Sequence, residues 1–141
     1  MSQNNKIIRN YKYRLYPTAT QERALDRLMS LGWRTYNDAL ATRIAHYQET
    51  GESLSHYDLR DIMCASRNRY SDFQDIPAQT VDALCKRVID AYTGTFSRMK
   101  AGAAGKDAGF PKMQKRHNFR NLPFGNGWKL FPSEKYDTRL R

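Results

Sequence analysis

Cysteine is scarce. Cys64 and Cys85 are the only two thiols, with neither a CxxC pair nor a Cys/His ligand spacing, so no disulfide framework or zinc site is supported and both read as small core residues. No apolar run approaches the roughly 18 residues of a membrane span, and the opening Met1–Lys6 has no apolar signal core. A soluble cytoplasmic protein with no membrane partner is expected. A length of 141 residues leaves room for one domain or two very small ones and excludes a large multidomain machine. There is no internal repeat. Acids are absent from residues 1–17, which carry Lys6, Arg9, Lys12 and Arg14, and residues 100–141 hold ten bases against three acids. The middle of the chain is near neutral, so the formal charge of +10 sits at the two ends. Such a balance attracts polyanions, and a phosphate backbone is the expected partner.

Local patterns divide the chain. Ile7–Leu15 alternates, with Tyr11, Tyr13 and Leu15 on one face and Asn10, Lys12 and Arg14 on the other, which predicts a strand with one basic face ending at Pro17. Thr18 with Gln21 forms a capping box that opens a helix to about Leu31, with Leu25, Leu28 and Met29 inward. Gly32 breaks that pattern. Trp33, Tyr36, Leu40, Ile44 and Tyr47 resume it as a second helix, which Gly51 stops. Ser55 with Asp58, and a Leu54/Leu59 staple, predict a third helix over roughly 56–69 that buries Leu59, Ile62 and Met63. Pro77 opens a fourth along the stripe Val81, Leu84, Cys85, Val88, Tyr92, Phe96 and Met99. Ala101–Gly105 is a small-residue connector. Strands are expected at about 118–122 and 128–131, with a Pro123–Gly127 turn between them, and again from Tyr136 to Arg141.

The simplest completion pairs the N-terminal strand with the C-terminal ones. The helices then form an insertion in a small β module, and the two basic ends become one patch. Catalysis has little support. Asp58/Asp61 and Asp72/Asp75 are explained by capping and solubility, and His46, His56 and His117 have no evident partner acid or nucleophile. No catalytic or metal-binding residue is expected. Lys12 and Arg14 suit a sheet face that grips phosphates, the alternative being an edge strand blunted by its cations. Lys112, Lys115, Arg116 and Arg120, interleaved with His117 and Phe119 and followed by Lys129, suit an RNA or heteroduplex backbone, the alternative being a solvated basic loop.

Four ordered stretches, Tyr11–Pro17, Trp33–Leu40, Tyr47–Leu59 and Gly109–Lys112, resemble the N-terminal part of the TnpB (OrfB) family of insertion sequences, over about residues 7–131. The resemblance implies a wedge β module interrupted by a helical recognition lobe, whose first part is catalogued as a helix-turn-helix. It implies an RNA-guided DNA endonuclease as the parent activity. The RuvC-like nuclease domain with its divalent metal, and the zinc ribbon, would follow the last residue here, so this chain is expected to be truncated, without cofactor and not itself an enzyme. By the same resemblance the start of the fourth helix meets a short DNA motif through Ala78, Gln79 and Asp82, with Lys86 and Arg87 beyond, or else these residues are simply its exposed face. Tyr57 is a weaker candidate, while Trp33, Arg34, Tyr36 and Asn37 belong to packing.

The expectation is therefore an α+β chain: residues 1–17 as the first wedge strand, 18–100 as a four-helix recognition lobe inserted into a small, incomplete antiparallel β module, and 106–141 as the basic segment and remaining wedge strands. Its expected partners are guide RNA and double-stranded DNA, with a full-length homologue or a nuclease part in trans as a further candidate. The rivals are a stand-alone regulator using the Thr18–Tyr47 helix pair as a helix-turn-helix, and a non-functional remnant.

Overall fold

In the computed structural model, which describes residues 6–103, 108–125, 130–131 and 139–140, the first helix opens at a complete capping box. The Gln21 amide donates to Thr18 Oγ1 at 3.3 Å and the Thr18 amide donates to Gln21 Oε1 at 2.9 Å, so two donors that the helix end leaves orphaned are satisfied reciprocally. Helix α1 (Ala19–Thr50) then runs for 32 residues and stops at Gly51, whose φ of 73° is one that glycine adopts freely. The expected break at Gly32 is absent. Leu31, Thr35, Tyr36, Ala39, Leu40 and Arg43 continue one buried face past it, and a mid-helix glycine costs only about 1 kcal/mol relative to alanine. Three helices therefore stand where four were expected.

Helix α2 (His56–Arg69) starts at Ser55, whose Oγ accepts from the Asp58 amide at 3.2 Å. Leu54 and Leu59 are both buried, as a staple requires. Helix α3 (Ala78–Lys100) follows Pro77 and buries Val81, Leu84, Cys85, Val88 and Tyr92. The stripe is shorter than expected, since Phe96 and Met99 lie exposed, as do Leu25 and Ile62. Between α2 and α3, the 3-10 turn Ser71–Phe73 leads to Ile76, which is fully buried. Arg67 holds that turn closed, donating from Nε to Ile76 O at 2.6 Å and from a terminal nitrogen to Gln74 O at 3.1 Å. The core is shared by all three helices, with Leu40, Leu59, Ile76, Leu84 and Val88 at its centre.

Residues 108–125 run back over α1 and α3 as an irregular strap. At its start Ala108 is buried, and Arg98 Nε and Thr95 Oγ1 donate to Ala108 O and Gly109 O at 2.8 and 2.9 Å. In the middle, the Gln114 amide donates to Asn37 Oδ1 at 2.9 Å, while Gln114 O accepts from Asn37 Nδ2 at 3.0 Å and from Trp33 Nε1. Phe119 is buried beside Tyr36, and Leu122 and Phe119 lie directly over Gly32. Towards its end Thr80 Oγ1 donates to Pro123 O at 2.8 Å.

This strap overturns the α+β expectation. Residues 7–15 are exposed and belong to no helix or strand, and the segment 118–122 meant to pair with them is pinned to the helices instead. The only β pairing among the described residues is antiparallel and two residues long on each side, β1 (Leu130–Phe131) with β2 (Arg139–Leu140). The expected strands at 128–131 and 136–141 survive only as those fragments, their other residues lying outside the described ones. So short a pair does not make a wedge module. Among the described residues the fold is helical, and the first segment pairs in no sheet with the last.

Candidate nucleic-acid interface

The strap sorts its side chains by face. Gln114, Arg116 and Phe119 turn inward, whereas Lys112, Lys115, His117 and Arg120 are exposed. Arg116 is a staple rather than a free cation: its Nε donates to Ser30 Oγ on α1 at 3.1 Å and a terminal nitrogen reaches Phe119 O at 3.4 Å. Arg87 plays the same part on α3, with one guanidinium nitrogen 3.2 Å from Asn121 O and the other 3.2 Å from Asn121 Oδ1. Two predicted phosphate ligands thus fix the strap, leaving Lys112, Lys115 and Arg120 as its outward charges. Arg120 is steadied by a bond to His117 O at 3.3 Å.

The other predicted residues fall into separate groups. Lys12 and Arg14 lie on the exposed N-terminal arm, where Tyr11 and Tyr13 stack at 6.4 Å and Arg14 lies 5.4 Å from the Tyr16 ring. Lys86 is paired with Asp90 one turn on at 2.8 Å. Gln79 is covered on one side by Gly125, where even a Cβ would approach its Oε1 to 2.7 Å. Asp82 faces His56 on α2, with His56 Nε2 3.0 Å from Asp82 Oδ1, a partnership the sequence did not reveal. Tyr57 is 65% exposed and lies beneath Arg60, 5.1 Å away. An aromatic face so presented can stack a base. Lys129 lies outside the described residues. Trp33, Tyr36 and Asn37 pack the helical body as expected, while Arg34 is exposed and rests on Phe73 at 4.8 Å.

Sequence reasoning missed a row of cations on α1. Arg23, Arg27 and Arg34 recur at spacings of four and seven along the face opposite the core, and all three are exposed. Treating Gly32 as a break hid that register. Arg27 is paired with Asp75 at 2.9 Å.

Burial shapes the titratable groups near the core. It raises the Asp38 carboxyl, with Arg34 opposing, and it raises the Tyr36 hydroxyl, with Arg87 opposing. Cys64 is also raised, chiefly by burial, and Cys85 is pushed up to about 12 by the same cause. Neither thiol has the lowered value of a nucleophile. Among the described residues no group of three or more His, Cys, Asp or Glu side chains could hold a metal ion, and no helix is long and apolar enough to cross a membrane.

Residues 1–52 match the helix-turn-helix domain of the OrfB IS605 family. No curated protein matches the chain. The OrfB match spans the N-terminal arm, α1 and its Gly51 stop, and does not include α2, α3 or the strap. Within it the described residues form one helix, so the first turn after α1 is Gly51–Ser55, at the very end of the matched stretch.

Proposed function

We propose that this chain is the nucleic-acid-binding N-terminal part of a transposon-encoded, RNA-guided DNA endonuclease of the TnpB/OrfB kind, engaging guide RNA and the DNA beside the target without cleaving either. The observation that carries the reading is the strap. Its inward residues anchor it at Asn37, Ser30, Arg87 and Thr80, so Lys112, Lys115 and Arg120 stand on a fixed support and can track a phosphate backbone. The OrfB match of residues 1–52 supports DNA as a partner. Affinity follows from counterion release and falls steeply as salt rises. The chain supplies binding and shape, and the nuclease chemistry with its divalent metal belongs to another part of the parent effector.

A gel shift with duplex DNA, in the presence and absence of RNA transcribed from the end of the element, tests this. RNA-dependent retention of the duplex is expected, together with crosslinking of the purified chain to RNA and no nicking with magnesium or manganese. Tight binding to duplex alone, unaltered by RNA, would overturn it in favour of a free-standing DNA-binding regulator. That rival needs a helix pair between Thr18 and Tyr47, where α1 runs as one helix.

A further inference from the structure

The exposed face of α1 carries a second set of cations, separate from the strap's outward lysines and unlike them in chemistry. No lysine occurs between Lys12 and Lys86, so every cation of α1 is an arginine. Arg23, Arg27 and Arg34 share one face with Ser30, and it is to Ser30 that Arg116 of the strap donates at 3.1 Å. Arg23, Arg27 and Arg34 therefore follow one another along the helix, with the Arg116 staple seated between the last two. At a rise of about 1.5 Å per residue the row is about 16 Å long, the axial length of about five base-pair steps of duplex at ~3.4 Å each.

Two of these groups are held by partners that a phosphate need not displace. Arg23 donates to Thr20 Oγ1 at 3.4 Å, and Arg34 lies on the Phe73 ring at 4.8 Å. Arg27, Ser30, Leu31 and Arg34, together with Asp72, also line an open depression of about 280 Å³. Planar guanidinium forks suit phosphate oxygens, and fixing them beforehand reduces the entropy lost on binding. Asp75 occupies Arg27 through an ion pair exposed on both sides, 59% and 58%, and such pairs are weak. A phosphate can displace that carboxylate.

We propose that the exposed arginines Arg23, Arg27 and Arg34 seat phosphates of one DNA strand, and that Asp75 is a built-in competitor which holds Arg27 until the strand arrives. The inference rests on the nucleic-acid-binding reading above and gives it a second contact surface, next to the strap and joined to it through Arg116.

Fluorescence anisotropy of a labelled DNA duplex, titrated at several salt concentrations with the full chain bound to RNA transcribed from the end of the element, tests it. R23Q, R27Q and R34Q should each make the slope of log affinity against log salt shallower by about 0.9, a loss of about eightfold at 0.1 M salt. D75N should tighten binding, and K100Q, on the far end of α3, should change it little. Circular dichroism should show all variants folded, since the altered side chains are exposed. If the arginine variants and D75N bind like the parent while K112Q/K115Q weakens binding, the row is not a contact surface and the strap reading stands. If the unaltered chain fails to bind any nucleic acid, the broader reading fails instead.

Discussion

Cys85 is the side chain whose chemistry the fold alters most. Burial pushes its thiol up to about 12 from an ordinary 9.0, with Cys64 and Asp82 adding to the effect. Between those two values the unfolded chain has released the proton while the native chain retains it, so stability declines as pH rises through that window and is unaffected below it. The slope approaches about 1.4 kcal/mol per pH unit. Urea unfolding at pH 8 and at pH 10.5 checks this: the parent should lose stability relative to Cys85→Ala between the two, whereas a constant difference would contradict it. Arg43 poses the opposite problem, a charge that is only 6% exposed. Its guanidinium lies 3.6 Å from the Tyr92 ring centroid, yet its Nε has no hydrogen-bond partner. Arg43→Met removes a cation–π contact of about 2 kcal/mol when desolvated but also an orphaned donor of about 1–3 kcal/mol, so a net change under about 1 kcal/mol is expected. Tyr92→Ala removes the platform and opens the core, and should cost about 3–5 kcal/mol in the same assay. Burial of Cys85 was legible from helical spacing. That of Arg43 was not, because its partner is an aromatic ring on a different helix.

Among the elements, those governed by neighbouring residues were legible and those governed by distant ones were not. Thr18/Gln21, Ser55/Asp58 and Gly51 set helix ends through bonds three or four residues long, and the sequence carries them openly. Gly32 looked like a stop because glycine disfavours helix. Its actual role is to let Leu122 and Phe119 approach the α1 backbone, a requirement written in residues far along the chain. A Cβ there would sit 2.3 Å from Leu122 Cδ1 and 3.3 Å from Phe119 Cε1. Gly32→Leu should therefore lift the strap and cost about 1–3 kcal/mol by overpacking, despite its better helix propensity. The same logic applies to Asn37, whose side chain satisfies both backbone groups of Gln114 across 77 residues. Asn37→Leu leaves the Gln114 amide without its partner, and hydrogen exchange at that amide should accelerate while α2 stays protected. Unchanged exchange would mean that the strap is held without this bond. The supposed strand at 118–122 failed for the same reason: Phe119 alternates like a strand residue but is a core residue of the helical body.

At the scale of the whole molecule, the +10 charge is spread over surfaces that are fixed to very different degrees. The strap and the α1 row are attached to a three-helix core, whereas Lys6, Arg9, Lys12 and Arg14 lie on an N-terminal arm whose described residues are all exposed. An arm without buried contacts contributes little to folding, yet its charge still contributes to binding a polyanion. Stability and nucleic-acid affinity should therefore separate on removing residues 2–14, which keeps the Thr18/Gln21 capping box intact. The midpoint of thermal unfolding should shift little, because no residue from 6 to 14 is buried. The salt dependence of DNA binding should become shallower by up to about 3.6, since each phosphate neutralised contributes about 0.9 and the arm carries four cations. A large fall in thermal stability would instead mean that the arm is part of the folded core. An unaltered salt slope would mean that the arm stays clear of the backbone, leaving the strap and the arginine row as the contact surfaces to test.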